Sequence, residues 1–247
     1  MIADLRTVIW KEWHSLIHGQ SRRQLVILVV TLAFWAIWLP VQTGADWMTD
    51  GVISILISVL LPALVVAVTV PAAFAGERER KTLSTLLATR LPDTAILYGK
   101  LVIPVLVGLF ALTGVLAVGL VAANAASWEG SPRFYDPVVI VPDLAIGFLV
   151  AVMTAAAGVA ISLRANRVQD AQQTLSMMLM LPAMGVGAVL FIVAEVTGGI
   201  SSALAGLEGV SGWLMALVAV VSLAAIDVVL LAMARRRFRR GRLITEL

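Results

Sequence analysis

The sequence predicts an all-α membrane protein with six transmembrane helices, an amphipathic N-terminal helix in the membrane interface, and a short cytoplasmic helix between spans two and three. The 247-residue chain is 60% hydrophobic and 13% charged, against roughly 45–50% and about 25% in soluble domains. Long apolar runs recur along it, and its positive charges lie between alternate runs. A soluble fold cannot bury this much apolar surface, and a disordered chain would not contain it.

Residues 1–23 precede the first span and contain an amphipathic helix over residues 1–18. Its apolar side chains recur at steps of three and four residues: Ile2, Leu5, Ile9, Trp13, Leu16 and Ile17. Such a helix lies in the inner membrane interface rather than crossing the bilayer. It is either a simple anchor or a lever that joins a cytoplasmic partner to the first span.

Six apolar stretches, each near the ~20 residues needed to cross a bilayer, make up a transmembrane domain over residues 24–233. We place them at residues 24–41, 52–75, 98–123, 144–163, 175–194 and 214–233. Prolines interrupt spans two, three and five, and they serve either plain packing or a substrate pathway. Asp227 is the one acid well inside a span. It either relays a proton or cation, or pairs with a basic residue at the inner interface.

The charges orient these spans. Of the 18 Lys and Arg residues, all but Arg133 fall on one side of the predicted topology. The other side carries the acids Asp46, Asp50, Glu129, Asp136, Asp143, Glu195 and Glu208. The positive-inside rule therefore places both termini in the cytoplasm. The basic tail, residues 234–247, is interpreted as an anchor on anionic lipid, with nucleic-acid binding as the alternative.

Tryptophans near the predicted outer ends fit the membrane–water interface. They are Trp35, Trp38, Trp47, Trp128 and Trp213. The chain has no cysteine and two histidines, which argues against thiol catalysis, Cys-ligated metals and a multi-histidine site. Neither a GxxxxGK[ST] nor an HExxH motif occurs. The sequence therefore predicts no catalytic residue, no metal site and no nucleotide-binding loop on this chain.

The cytoplasmic segment 76–100 is too long and too charged for a minimal connection. Gly76 is expected to end span two, and charged residues follow directly. Residues 82–89 then carry leucines at helical steps, and Pro92 stops the pattern. A short helix of this kind either docks in the groove of a partner or forms a solvated, lipid-facing loop. A second polar link, residues 164–174, is another contact for the same partner or a helix cap.

These residues resemble the permease subunits of type 2 ABC transporters, in the exporter-like branch. Members of that family read E-R-E-x-x-T-L-E-x-L-L-x-T-P after span two, followed by G-K at the start of span three. The matching residues here are Glu77, Arg78, Glu79, Thr82, Leu83, Leu86, Leu87, Thr89, Gly99 and Lys100. Ser84 stands where the family has an acid, and Arg90 where it has proline.

The resemblance implies that residues 1–18 form a connecting helix and residues 81–89 a coupling helix, both resting on a separate ATP-binding subunit. The implied ATPase-coupling residues are Glu77, Arg78, Glu79, Arg80, Lys81, Thr82, Leu83, Leu86, Leu87 and Arg90. The implied contact residues of the connecting helix are Trp10, Trp13 and Leu16. ATP and Mg²⁺ would bind the partner and not this chain. Two permease chains, identical or different, would enclose the substrate path in a prokaryotic cytoplasmic membrane.

Two other functions fit the same sequence. An ion-coupled secondary transporter would work alone through Asp227, and a membrane scaffold would use the cytoplasmic loops for docking without transport. The nearly uniform apolar spans favour a hydrophobic or amphipathic substrate over a free ion.

Overall fold

The fold is a bundle of helices, here seen in a computed structural model that describes residues 2–19, 22–49, 51–82, 90–165, 167–180 and 211–238. These ranges contain eight helices and no strand. In chain order the helices are α1 (Ile2–Gly19), α2 (Arg22–Thr43), α3 (Asp46–Thr49), α4 (Gly51–Glu79), α5 (Asp93–Ala126), α6 (Pro137–Ser162), α7 (168–180) and α8 (Gly212–Arg237).

Four of the described helices are long and apolar enough to cross a membrane. They are the 26 residues Ser54–Glu79 of α4, the 34 of α5, the 26 of α6 and the 26 of α8. These helices contain predicted spans two, three and six, and predicted span four except its last residue, Leu163. The chain has the character of a multi-pass membrane protein.

The first and fifth predicted spans are not among these four helices. The first lies in α2, whose described apolar stretch, Val29–Thr43, is shorter than a membrane-crossing helix. Helix α7 covers the start of the fifth, and residues 181–194 lie outside the described part of the chain. Six spans therefore remain a prediction.

Helix α4 is longer than its sequence suggested. It runs unbroken through Pro62 and Pro71, and Gly76, expected to end it, lies inside it. The helix stops two residues before Lys81, which adopts a left-handed backbone with φ 57°. The Lys81 amide donates to the Arg78 carbonyl (3.0 Å) and the Thr82 amide to the Glu77 carbonyl (2.9 Å). This pair of bonds is the Schellman pattern that closes a helix.

The core lies where α4, α5 and α6 meet. One buried cluster joins Val70 and Phe74 of α4 with Ile96 of α5 and Val159 of α6. Helix α6 also packs against α8. By contrast, α8 turns many large apolar side chains outward, such as Val228, which is 69% exposed. A face of this kind suits contact with lipid.

The two ends of the bundle differ in charge. The basic end is where α4, α6 and α8 finish and α5 begins, and it carries Lys100 and the arginines at the end of α8. The acidic end is where α5 finishes and α4, α6 and α8 begin, and it carries Asp136 and Asp143. The predicted segregation of charge is thus seen in the positions of the described helices.

Candidate functional site

The most elaborate polar site is at the basic end, where Lys100 is only 1% exposed. Its ammonium nitrogen donates to the Ala73 carbonyl at 2.7 Å and to Glu12 Oε1 at 2.8 Å. A third, longer bond reaches Glu77 Oε1 at 3.3 Å. A lysine ammonium has three donors, so each one has a partner. These bonds tie α5 to both α4 and α1.

Glu77 joins the same cluster from the last turns of α4. It accepts from Lys11 Nζ of α1 at 2.5 Å. Lys11 Nζ also lies 3.6 Å from Glu12 Oε1. We call Lys11, Glu12, Glu77 and Lys100 the Lys100 clamp. Two cations balance two anions in it, which is what allows so many charges to be buried together.

The four side chains of the clamp differ in how much of their surface is exposed to solvent. The side chain of Lys100 is 1% exposed, that of Glu12 8%, that of Glu77 15% and that of Lys11 47%. Burial alone would lower the pKa of Lys11, but the hydrogen bond and charge of Glu77, with a smaller effect of Glu12, raise it above its ordinary value. The Lys11 contact is therefore the exposed edge of the clamp.

The two charged residues after Glu77 bind other helix ends. Arg78 Nη1 donates to the Leu163 carbonyl at 2.9 Å, directly after α6. Glu79 Oε2 accepts from the Val168 amide at 3.2 Å, at the start of α7. Helix ends leave such carbonyls and amides without helical partners, and a cation at a C-terminus or an anion at an N-terminus is favourable. Three consecutive charges thus hold four other helices: α1, α5, α6 and α7.

Thr82 connects the clamp to the segment that follows. Its hydroxyl donates to the carboxylate of Glu77 and lies 3.3 Å from the Glu77 carbonyl oxygen. Residues 83–89 come next, so the predicted coupling leucines Leu83, Leu86 and Leu87 lie outside the described residues. Arg80, Lys81 and Arg90, which flank them, are exposed.

Helix α1 turns one set of side chains toward the bundle and leaves its tryptophans exposed. Val8 and Glu12, one turn apart, are 3% and 7% exposed and face the bundle. Trp10 and Trp13 are 65% and 43% exposed, and Trp10 stacks on His14 with ring centroids 5.1 Å apart. The predicted contact tryptophans are thus accessible on α1. The backbone at Leu16 is helical.

Sequence reasoning missed Glu12 and the specific role of Lys11. The available signal was weak: Glu12 lies one turn from the apolar Val8, but Asp4 is another acid in the same helix. Its partner Lys100 is 88 residues away, so no local pattern could identify the pair.

Asp227 is buried, at 4% exposed. Neither of its carboxyl oxygens has a hydrogen-bond partner in the described ranges. The basic partner considered for it from the sequence is not found among these residues.

At the acidic end a second set of contacts, made by uncharged side chains, joins α3, α5 and the connection between α5 and α6. Trp47, expected at the membrane interface, is instead 1% exposed, because it packs on α5 at Gly119, where a Cβ would lie 2.7 Å from Trp47 Nε1. Trp47 Nε1 donates to the Tyr135 hydroxyl at 2.7 Å, which donates to the Leu116 carbonyl at 2.8 Å. Asn124 binds the backbone of Arg133 through both ends of its amide. We call Trp47, Tyr135 and Asn124 the Trp47 plug.

The fold and the Lys100 clamp together define a class of protein. It is a multi-pass helical membrane protein whose helices are joined by charged side chains at the basic end. The chain matches no protein-family model, and no curated protein matches it in sequence.

Proposed function

We propose that the chain is the permease subunit of an ATP-driven ABC transporter of the type 2, exporter-like kind. It would be energised by a separate ATPase subunit and would export a hydrophobic or amphipathic substrate. The observation that carries the proposal is the Lys100 clamp. Glu77 and Lys100 flank the segment that resembles a coupling helix. They form an ion pair with each other, and each also pairs with a charged residue of α1.

The clamp supports this function because of which elements it joins. A force applied to residues 83–89 would reach Glu77 through Thr82, and Lys100 through the start of α5. The same charges hold α1, the helix that resembles a connecting helix. Arg78 and Glu79 extend the linkage to α6 and α7. A partner that pressed on this surface would move several helices together, as switching between two states requires.

ATP binding would therefore act from outside the chain. The ATPase pair would close on ATP and Mg²⁺, and the basic end would transmit that motion to the helices that enclose the substrate path between two permease chains. In this proposal the chain itself carries no catalytic residue. It lies in a prokaryotic cytoplasmic membrane with both termini in the cytoplasm, where the ATPase is found.

The test is co-purification from the source cells. Tagged chain should retain a protein with a GxxxxGK[ST] motif, and the pair should hydrolyse ATP. Changing Leu83, Leu86 and Leu87 to Glu should abolish that association. Changing Trp128 and Phe134, two exposed apolar residues of the acidic end, to Glu is the control and should leave it intact. A complex that survives the triple change contradicts the proposal.

Topology has a separate test, because the chain contains no cysteine. Single cysteines at Arg133 and at Arg80 can be labelled in intact cells with a membrane-impermeant maleimide. Arg133→Cys should react from outside and Arg80→Cys only after lysis. The reverse pattern would refute the proposed orientation.

A second candidate is an ion-coupled secondary transporter, favoured by the buried carboxyl group of Asp227. It predicts gradient-driven flux by the purified chain alone in liposomes, and loss of that flux in Asp227→Asn. ATP-dependent flux that needs the partner, and is unchanged in Asp227→Asn, would exclude it. The same ATP-dependent flux would exclude a scaffold without transport.

A further inference from the structure

A second polar site lies at the acidic end, between α4 and α6, and on α4 it is far from Glu77 of the Lys100 clamp. Ser54 and Ser58 of α4 are 1% and 0% exposed, and Asp143 of α6 is 0% exposed. Neither the two serine hydroxyls nor the two carboxyl oxygens have a hydrogen-bond partner within the described ranges. Buried polar atoms are rarely left without partners, so this group requires an explanation.

The serine hydroxyls belong to a group of buried helical hydroxyls without a partner in the described ranges, together with Thr154 and Ser162 of α6. Thr69, Thr113 and Ser222, by contrast, each donate to a carbonyl of their own helix, at 3.0, 2.9 and 2.9 Å. Such back-bonding is the normal arrangement for a hydroxyl in an apolar helix. Ser54 and Ser58 make no such bond. Because they are one turn apart, both oxygens are available on one face of α4.

A backbone oxygen adds to the same face. Pro62 lies inside α4, and proline has no amide hydrogen, so the carbonyl four residues earlier, that of Ser58, lacks its helical donor. Helix α6 passes very close to this carbonyl: a Cβ on Gly147 would lie 3.2 Å from Ser58 O. Asp143 precedes Gly147 by one turn on the same face of α6. The Ser58 hydroxyl lies near the Asp143 carboxyl without reaching hydrogen-bond geometry.

We propose that Asp143, Ser54 and Ser58 form a binding site for a monovalent metal cation of the Na⁺ class, between α4 and α6. The site offers two carboxylate oxygens, two hydroxyl oxygens and the Ser58 carbonyl oxygen. Hard oxygen donors of this kind suit alkali and alkaline-earth cations. One carboxylate neutralises one positive charge, so a monovalent ion leaves no net charge buried, whereas a divalent ion leaves one.

The bound cation would cross-link two helices that run in the same direction from the acidic end. This role is independent of the proposed ATPase partner, because every residue of the site is on this chain. It predicts that the full-length chain is stabilised by the ion alone, since a ligand that binds only the folded state raises its stability.

The test is thermal unfolding of the full-length chain in lipid nanodiscs, in NaCl and in choline chloride of equal ionic strength. We expect Tm to rise saturably by several degrees with Na⁺ and not with choline. Asp143→Asn should lose this rise. Ser58→Ala, a milder change that keeps the carboxylate, should shift the midpoint to a several-fold higher Na⁺ concentration.

Asp227→Asn is the matched control, because Asp227 is the other buried acid without a partner in the described helices, and it should keep the full Na⁺ response. Retained binding of radioactive Na⁺ by Asp143→Asn, or its loss in Asp227→Asn instead, would overturn the assignment. So would equal Tm values in the two salts for the unaltered chain, which would mean that Asp143 holds a proton or nothing.

Discussion

The two ends of the bundle are held together by different chemistry. At the basic end the Lys100 clamp uses four charged side chains from three helices, and one of them, Lys11, is 47% exposed. At the acidic end the Trp47 plug uses neutral hydrogen bonds around a side chain that is 1% exposed. Charged pairs near water exchange partners readily and respond to salt and pH, whereas a packed aromatic ring has one arrangement. From this comparison we expect the basic end to rearrange more readily than the acidic end.

The largest loss of stability is expected from a change at Lys100, the most buried residue of the clamp. Lys100→Met removes the buried cation and leaves Glu12 and Glu77 without it, so we expect a loss of about 3–5 kcal/mol in the free energy of unfolding. The measurement is unfolding of the full-length chain in nanodiscs. Glu12→Gln combined with Lys100→Met should recover part of the loss, because the stranded carboxylate is then neutral. A double variant less stable than either single change would contradict the assigned pairing.

Removing the indole donor tests the other end. Trp47→Phe deletes the bond to the Tyr135 hydroxyl and leaves a small void, with an expected loss of about 1–3 kcal/mol. ATP-dependent transport by the assembled complex should persist at temperatures where the variant is folded. Trp128→Phe, at a 62% exposed site of the same end, should be neutral. Equal losses at positions 47 and 128 would mean that the plug does not stabilise the acidic end.

The sequence was informative about elements whose signal is local. Helices α4, α5, α6 and α8 follow from apolar runs of membrane length, and the separation of charge follows from where Lys and Arg fall between those runs. The resemblance also marked Glu77 and Lys100 as important. Their actual contacts depend on α1, which is distant in sequence, and no periodicity reports a contact between distant segments.

Side-chain environment was much less predictable than helix position. Trp47 lies near the end of a predicted span, and an aromatic ring there has the same pattern whether it faces lipid or packs on α5 at Gly119. Asp143 was predicted only to lie on the outer side, and nothing in its sequence context indicated that it is fully buried. The contacts of Arg78 and Glu79 with the ends of α6 and α7 had no local signal either, and their expected contacts with a partner stay a prediction. Each difference arises because packing between helices decides burial, and composition does not.

A smaller loss of stability is expected from a change at Glu79, and it would distinguish the contact of this residue from those of its neighbours Glu77 and Arg78. Glu79→Ala removes the acceptor for the Val168 amide at the start of α7, with an expected loss of about 0.5–1 kcal/mol. The effect should be local: amide hydrogen exchange should speed up at residues 168–170 and stay unchanged in α5. Arg80→Ala, one residue later with an exposed side chain, serves as the control. Faster exchange throughout the bundle would show that Glu79 supports more than the start of α7.

The smallest effect on stability is expected at Lys11, the most exposed residue of the clamp, and this effect depends on pH. The pKa of Lys11 is raised above 10.5, so its contribution is fully present below that value and is lost as pH rises through the raised pKa. Its magnitude is about 0–1 kcal/mol, because a half-exposed pair is screened by water. A fluorophore on Trp10→Cys should therefore report release of α1 in strongly alkaline buffer. Lys11→Met should lack this transition, and Lys81→Met, at an exposed site outside the clamp, should keep it. The same alkaline release in Lys11→Met would show that a group other than Lys11 causes it, which would contradict the assigned role of Lys11.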